Sequence, residues 1–195
     1  MDPTSSSNKE TIIAIKTFVD AVSLPATDIN AYLTNSGMTY ITQATIGNGV
    51  LFVTVSNCFS ATYDNYKIIF QPKAGTVANE QMSLELNGLT TGYYGSALIH
   101  SYTGSPDVYL NANAQARWPV GYTSTTSEAV YHVDVYQPFD STRNTSFTGN
   151  FFAFGFTGFN GGQTVSTISV TGFKFSNLTN SMTGGTVTVF GYRKS

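Results

Sequence analysis

Two histidines, one cysteine and eleven acidic residues are the groups in this 195-residue chain best suited to carry chemistry. A nucleophilic triad would need His100 or His132, and neither lies near a Gly-x-Ser-x-Gly elbow that would present a serine on a strained turn. His132 and Asp134 stand two apart and share a strand face, where they could hold a proton or a metal. No third ligand accompanies them in sequence, which favours an outward polar pair on a half-buried strand. Glycoside cleavage needs two facing carboxylates. The acids beyond residue 38 are Asp64, Glu80, Glu85, Asp107, Glu128, Asp134 and Asp140. Asp64 falls in a turn sequence, Glu85 between Leu84 and Leu86 should face solvent, and no spacing predicts a pair. The lone Cys58 has no partner for a disulfide or a zinc site. No Gly-x-x-x-x-Gly-Lys loop and no dinucleotide fingerprint follows a strand. The expectation is therefore a protein that is not an enzyme, with no cofactor and no metal.

Composition narrows the partners. Only 10% of residues are charged, against about 25% in an ordinary domain, while Ser, Thr, Asn and Gln number 69. Nine Lys and Arg are scattered rather than striped and the formal net charge is −2, so nucleic acid is not an expected partner. No stretch approaches the roughly 20 apolar residues that cross a bilayer, and the first residues lack the basic and apolar regions of a signal peptide. Synthesis in a reducing cytoplasm, without membrane insertion, is the expectation. The sequons at Asn144 and Asn177 are then chance matches in a Ser- and Thr-rich chain.

The elements that must position any site fall into two parts. Over 1–38 the pattern is helical, with Ile12, Ile15, Val19 and Val22 spaced three, four and three apart as a short apolar seam. Pro25 ends that helix, and Thr27 can cap a second short one that closes at Gly37. This part is too small to bury a core and reads as an anchoring and oligomerising arm. Over 39–195 the period changes to two. Tyr66, Ile68 and Phe70 alternate, as do Met82, Leu84 and Leu86, then Tyr131, Val133 and Val135, and finally Val187 and Val189. Phe152, Phe154 and Phe156 are expected to share the core face of one strand. Turns are expected at Gly47 to Gly49, Asn87 and Gly88, Gly161 and Gly162, and Gly184 and Gly185. Eight or nine strands in a mainly β, antiparallel two-sheet sandwich with jelly-roll-like connectivity are the expected architecture, with a closed barrel as the second choice.

Aromatic residues carry the remaining signal. Tyr93, Tyr94, Tyr102, Tyr109, Trp118 and Tyr122 lie in a middle segment that reads as loop-rich, among Asn, Ser and Gly. Such a palette suits an adaptable binding surface, for a sugar ring or a receptor, but the reading favoured over it is that these aromatics plug the ends of the sandwich or a subunit interface.

The segment YITQATIGNGVLFVTVSNCFSATYDNYKIIF, the later SLELNGLTTGYY and the closing strand GGTVTVFGYRKS resemble a recurrent β-sandwich of tailed-bacteriophage virion proteins. The resemblance covers about residues 38–195. It implies a non-enzymatic virion structural protein, made in the host cytoplasm and assembled as a homotrimer. Its expected partners are other virion proteins of the capsid shell or tail, with the N-terminal arm as anchor. Two roles follow from it, a capsid decoration or cement protein and a short tail fibre or receptor-binding tip that recognises a host-surface glycan. A carbohydrate-binding module outside phage stands as a further alternative. The chain carries no repetitive shaft, which favours a compact knob near its anchor.

Overall fold

The computed structural model describes residues 37–192, apart from 78, 105, 126 and 127. The two arm helices expected from sequence, with Ile12, Ile15, Val19 and Val22, lie outside the described residues. Thirteen strands, more than the eight or nine expected, occur among the described residues: β1 Met38–Thr45, β2 Asn48–Val50, β3 Phe52–Val55, β4 Asn65–Gly75, β5 Gln81–Leu86, β6 Tyr93–Ser101 and β7 Val108–Gln115. They continue as β8 Trp118–Tyr122, β9 Val130–Tyr136, β10 Ser146–Ala153, β11 Phe156–Thr164, β12 Phe173–Asn177 and β13 Met182–Tyr192. One sheet runs β1-β13-β4-β9-β10-β11-β6-β7, with β2 added beside β13, and the other runs β3-β12-β5-β8. Neighbouring strands pair antiparallel throughout.

Alternation decides which face of each strand is dry. Tyr66, Ile68 and Phe70 of β4, Met82 and Leu84 of β5, and Tyr131, Val133 and Val135 of β9 are fully buried, as their period of two requires. The inner faces meet ring on ring: Phe70 of the large sheet stacks on Phe175 of the small one with centroids 4.4 Å apart. At the other end of the sandwich Trp118 of the small sheet packs on Tyr93 at 4.9 Å and Phe147 at 4.4 Å, both in the large sheet. Buried phenols satisfy their polar ends on backbone, as burial demands. Tyr66 Oη accepts from Ser60 N and donates to Ser60 O, both at 2.8 Å, while Tyr93 Oη accepts from Leu86 N at 2.8 Å.

Three expectations need correction. Phe152 and Phe154 do not share a core face with Phe156. The chain turns at Phe154 and Gly155, since Ala153 pairs with Phe156 across the β10/β11 hairpin and Gly155 supplies the left-handed residue at φ 93°. The turn resets the alternation, so Phe151, Ala153 and Phe156 are buried and Phe152 and Phe154 face outward. Gly161 and Gly162 lie inside β11, and Gly184 and Gly185 inside β13. A strand glycine there serves close approach rather than a turn: a Cβ on Gly162 would sit 3.0 Å from Trp118 Nε1. Finally, the supposed loop-rich middle contains β6, β7 and β8.

Candidate functional site

The acids expected to face solvent are tied to neighbours. Asp134 Oδ1 accepts from Lys67 Nζ at 3.1 Å and from Tyr192 Oη at 2.5 Å. Its neighbour of sequence, His132, lies half-buried on the same face without joining it. Burial pulls the Lys67 ammonium down, but Asp134 and Tyr192 outweigh it and hold the pKa above the ordinary lysine value. Glu85 meets Lys174 Nζ at 2.8 Å, Arg117 at 3.4 Å and Ser176 Oγ at 3.1 Å. His100 Nδ1 and Asp107 Oδ1 are 2.7 Å apart on the surface. Cys58 is buried, its thiol pushed up to about 12 by desolvation, so it is a poor nucleophile. Asn177 is 3% exposed, so the fold leaves no room for a glycan on its amide.

One cleft, of about 190 Å³, is lined by Ser60, Ala61, Tyr63, Asp64, Gln137, Phe139 and Asp140. It brings Asp64 and Asp140 to one place, a pairing no spacing announced. Asp140 is engaged by its own turn, accepting from Thr142 N at 2.8 Å and Thr142 Oγ1 at 2.6 Å, with Arg143 Nε at 3.6 Å. Among the described residues no group of three His, Cys, Asp or Glu could hold a metal ion.

Glu80, just before β5, ties that strand to the connection between β12 and β13. Its Oε1 accepts from Thr179 N, Thr179 Oγ1 and Asn180 N. Burial raises the carboxyl pKa, but these bonds outweigh it and leave the pKa below the usual value. A group depressed in the folded state stabilises above its unfolded pKa and loses that contribution as pH falls through the folded one. Glu80→Gln should therefore destabilise by about 1 kcal/mol at neutral pH, with the difference from wild type vanishing below the carboxylate range. Urea unfolding across pH checks it; a difference independent of pH would show that charge plays no part.

The six aromatics singled out by sequence separate by parity. Tyr93 and Trp118 are core residues, 0% exposed, and Tyr122 is half-buried, packing edge-on to Phe156 at 5.5 Å. Tyr93 and Trp118 therefore pack the sandwich, as the favoured reading has it, and only the alternative of a binding role falls for them, because successive strand residues point to opposite faces. Tyr94, Tyr102 and Tyr109 are exposed. Tyr109 of β7 lies in one cross-strand row with Leu98 of β6, Phe159 of β11 and Asn150 of β10. The adjacent row holds Phe152, Thr157 and His100. Phe154 occupies the hairpin turn, and Tyr102 stacks on Phe152 with centroids 5.9 Å apart and planes 7° from parallel. Its Oη accepts from Gly155 N at 2.6 Å, which fixes the ring over the turn.

Phe159 is 70% exposed, Tyr109 68%, Phe154 60%, Phe152 53% and Tyr102 48%. With about 200 Å² per aromatic side chain, these rings expose on the order of 600 Å². That is the top of the range for the largest patch on a monomer, about 300–600 Å². Sequence reasoning missed Phe152, Phe154, Phe159 and Leu98. The signal available was small residues alternating with large ones: Ala153 and Gly158 mark the inward frame, leaving Phe152 and Phe159 outward.

No family model matches the chain, and no curated protein matches its sequence. Among solved structures, an alginate lyase matches 78% of this chain and 80% of its own at 12% identity, with a TM-score of 0.28. A score that low carries no argument about fold or activity.

Proposed function

We propose that the chain is a non-enzymatic structural subunit of a bacteriophage particle, a homotrimeric capsid decoration or cement protein on the particle surface, anchored through residues 1–38. The observation that carries this reading is the exposed aromatic face of β10, β11, β6 and β7, at the upper end of what a free monomer presents to water and suited to an assembled state. A jelly-roll-like sandwich is in keeping with it, and β1 and β13, the first and last strands described, lie side by side. The work of such a protein is mechanical, since contacts made only in the assembly stabilise the assembly by mass action. Residues 1–38 hold an apolar seam distinct from the strand pattern, which suits an anchor.

A second reading, a short tail fibre or receptor-binding tip, draws on Tyr109 and Tyr94, exposed on the outer face that also carries Asn111 and Asn150, an aromatic and amide mixture suited to a sugar ring. A carbohydrate-binding module would use the same surface outside a particle. Labelling the C-terminus and imaging purified particles separates these. Label over the head is expected; label confined to the tail would favour the fibre, and particles without label would overturn the virion reading.

A further inference from the structure

We infer that the aromatic face of β10, β11, β6 and β7 is where copies of this chain bind one another. The inference rests on the chain's being an assembly protein and adds which partner covers that face. Area is the first ground. The exposed rings, on the order of 600 Å², together with Leu98 and the polar rows beside them, approach the roughly 800 Å² that one partner brings to a stable protein interface. A sugar ring covers one or two such side chains and would leave the rest wet.

Charge is the second ground, and it selects a copy of the chain over a charged partner. Outward positions around the rings are Thr148, Asn150, Thr157, Ser96 and Asn111. The ionisable His100 at the margin is already held by Asp107. The positions among the rings carry no charge, the charged Asp107 and Asp134 standing only at the margins, so copies can bring these rings together without like-charge repulsion between them, whereas a charged patch could not. The rest of the outer surface is different: Lys67 and Asp134 lie on the large sheet, and Glu85, Lys174 and Arg117 on the small one. Chemistry is the third ground. Phe152, Phe154 and Phe159 have no polar side-chain atom, so a hydrated glycan finds no hydrogen bond there, while another aromatic face does not need one. Aromatic faces of three copies turned toward a common axis bury their rings against one another, as the rings of the two sheets do in the interior of the sandwich.

The test is the mass of the full-length chain by light scattering at rising concentration, for wild type and for Phe159→Asp and Tyr109→Asp. An oligomeric wild type is expected, with each variant associating about thirtyfold more weakly or worse, as the loss of a central aromatic contact implies. Circular dichroism and the melting temperature report whether the variants fold. Phe159→Thr, a polar residue suited to strands, replaces any that does not and should weaken association as well. Tyr40→Ser, on the opposite edge of the same sheet, should leave the mass unchanged. A monomeric wild type overturns the inference, as do patch variants of wild-type mass, which would place association elsewhere on the chain. A monomeric wild type that still labels particles would sink the inference and the trimer with it, and leave the role on the particle standing. Oligomers lost in Phe159→Asp, with no particle carrying the protein, would do the reverse.

Discussion

Trp118→Ala is expected to lower the unfolding free energy by about 3–5 kcal/mol, the range for deleting a large buried aromatic. For a domain of this size that corresponds to a melting temperature lower by on the order of 10 °C. Trp118 is 0% exposed and sits where the sheets close at one end, with Tyr93 edge-on at 88° and Phe147 tilted at 35°. Its Nε1 donates to the Tyr94 carbonyl at 3.1 Å. Truncation removes the ring contacts and the bond together, and the surrounding rings belong to strands fixed by their own ladders, so the void cannot collapse. Trp118→Phe separates the two contributions. It keeps most of the packing and loses the donor, which should cost about 1 kcal/mol net. Phe154→Ala is the matched control, because its ring stands in a turn and is mostly exposed; its effect should stay within about 0.5 kcal/mol. A Trp118→Ala protein as stable as wild type would mean that the two sheets do not close on this ring.

Period-two alternation made the interior legible wherever a strand ran without interruption. Tyr131 to Val135 was readable because polar and apolar residues strictly exchange, and Tyr66 to Phe70 because its large apolar residues recur every second place despite the outward Ile69; the structure buries the period-two set at both places. Legibility failed where glycine had two meanings. In the segment from Phe151 to Gly162, Gly155 makes the turn and Gly158 and Gly162 make room for rings from neighbouring strands. Local sequence does not distinguish these uses, since the neighbours that need the room, Phe151 and Trp118, are brought there by pairing and by sheet packing. Mistaking one for the other reversed the phenylalanines and hid the outer aromatic face. The same limit applies to Tyr93 and Tyr94, adjacent in sequence and on opposite sides of the sheet. Of the carboxylates, Asp64 and Asp140 meet in a cleft only because the chain returns there after a long excursion.

Gly158→Ala should cost about 3 kcal/mol, the upper end for adding one methyl to a filled interior. Gly158 pairs with Phe151 on one side and Ile99 on the other, on the dry face of β11. A Cβ there would collide with the Leu98 carbonyl oxygen and would lie 2.5 Å from Phe151 Cε1. Replacing glycine also reduces the freedom of the unfolded chain, which favours the variant by about 0.4–1 kcal/mol, too little to offset either clash. The two obstacles differ in kind, and a double-mutant cycle with Phe151→Leu separates them. A ring can turn away, but the Leu98 carbonyl is backbone in the β11/β6 ladder and can yield only if the strands part. The coupling between positions 151 and 158 should therefore be small beside the cost of Gly158→Ala itself, and urea unfolding of the four proteins measures it. A coupling as large as that cost would place the conflict in the ring instead. Leu98 is also the cross-strand partner of Phe159, so parting β11 from β6 disturbs the outer aromatic row. Glycine on the dry face of β11 thus allows the flat register on which the exposed face depends.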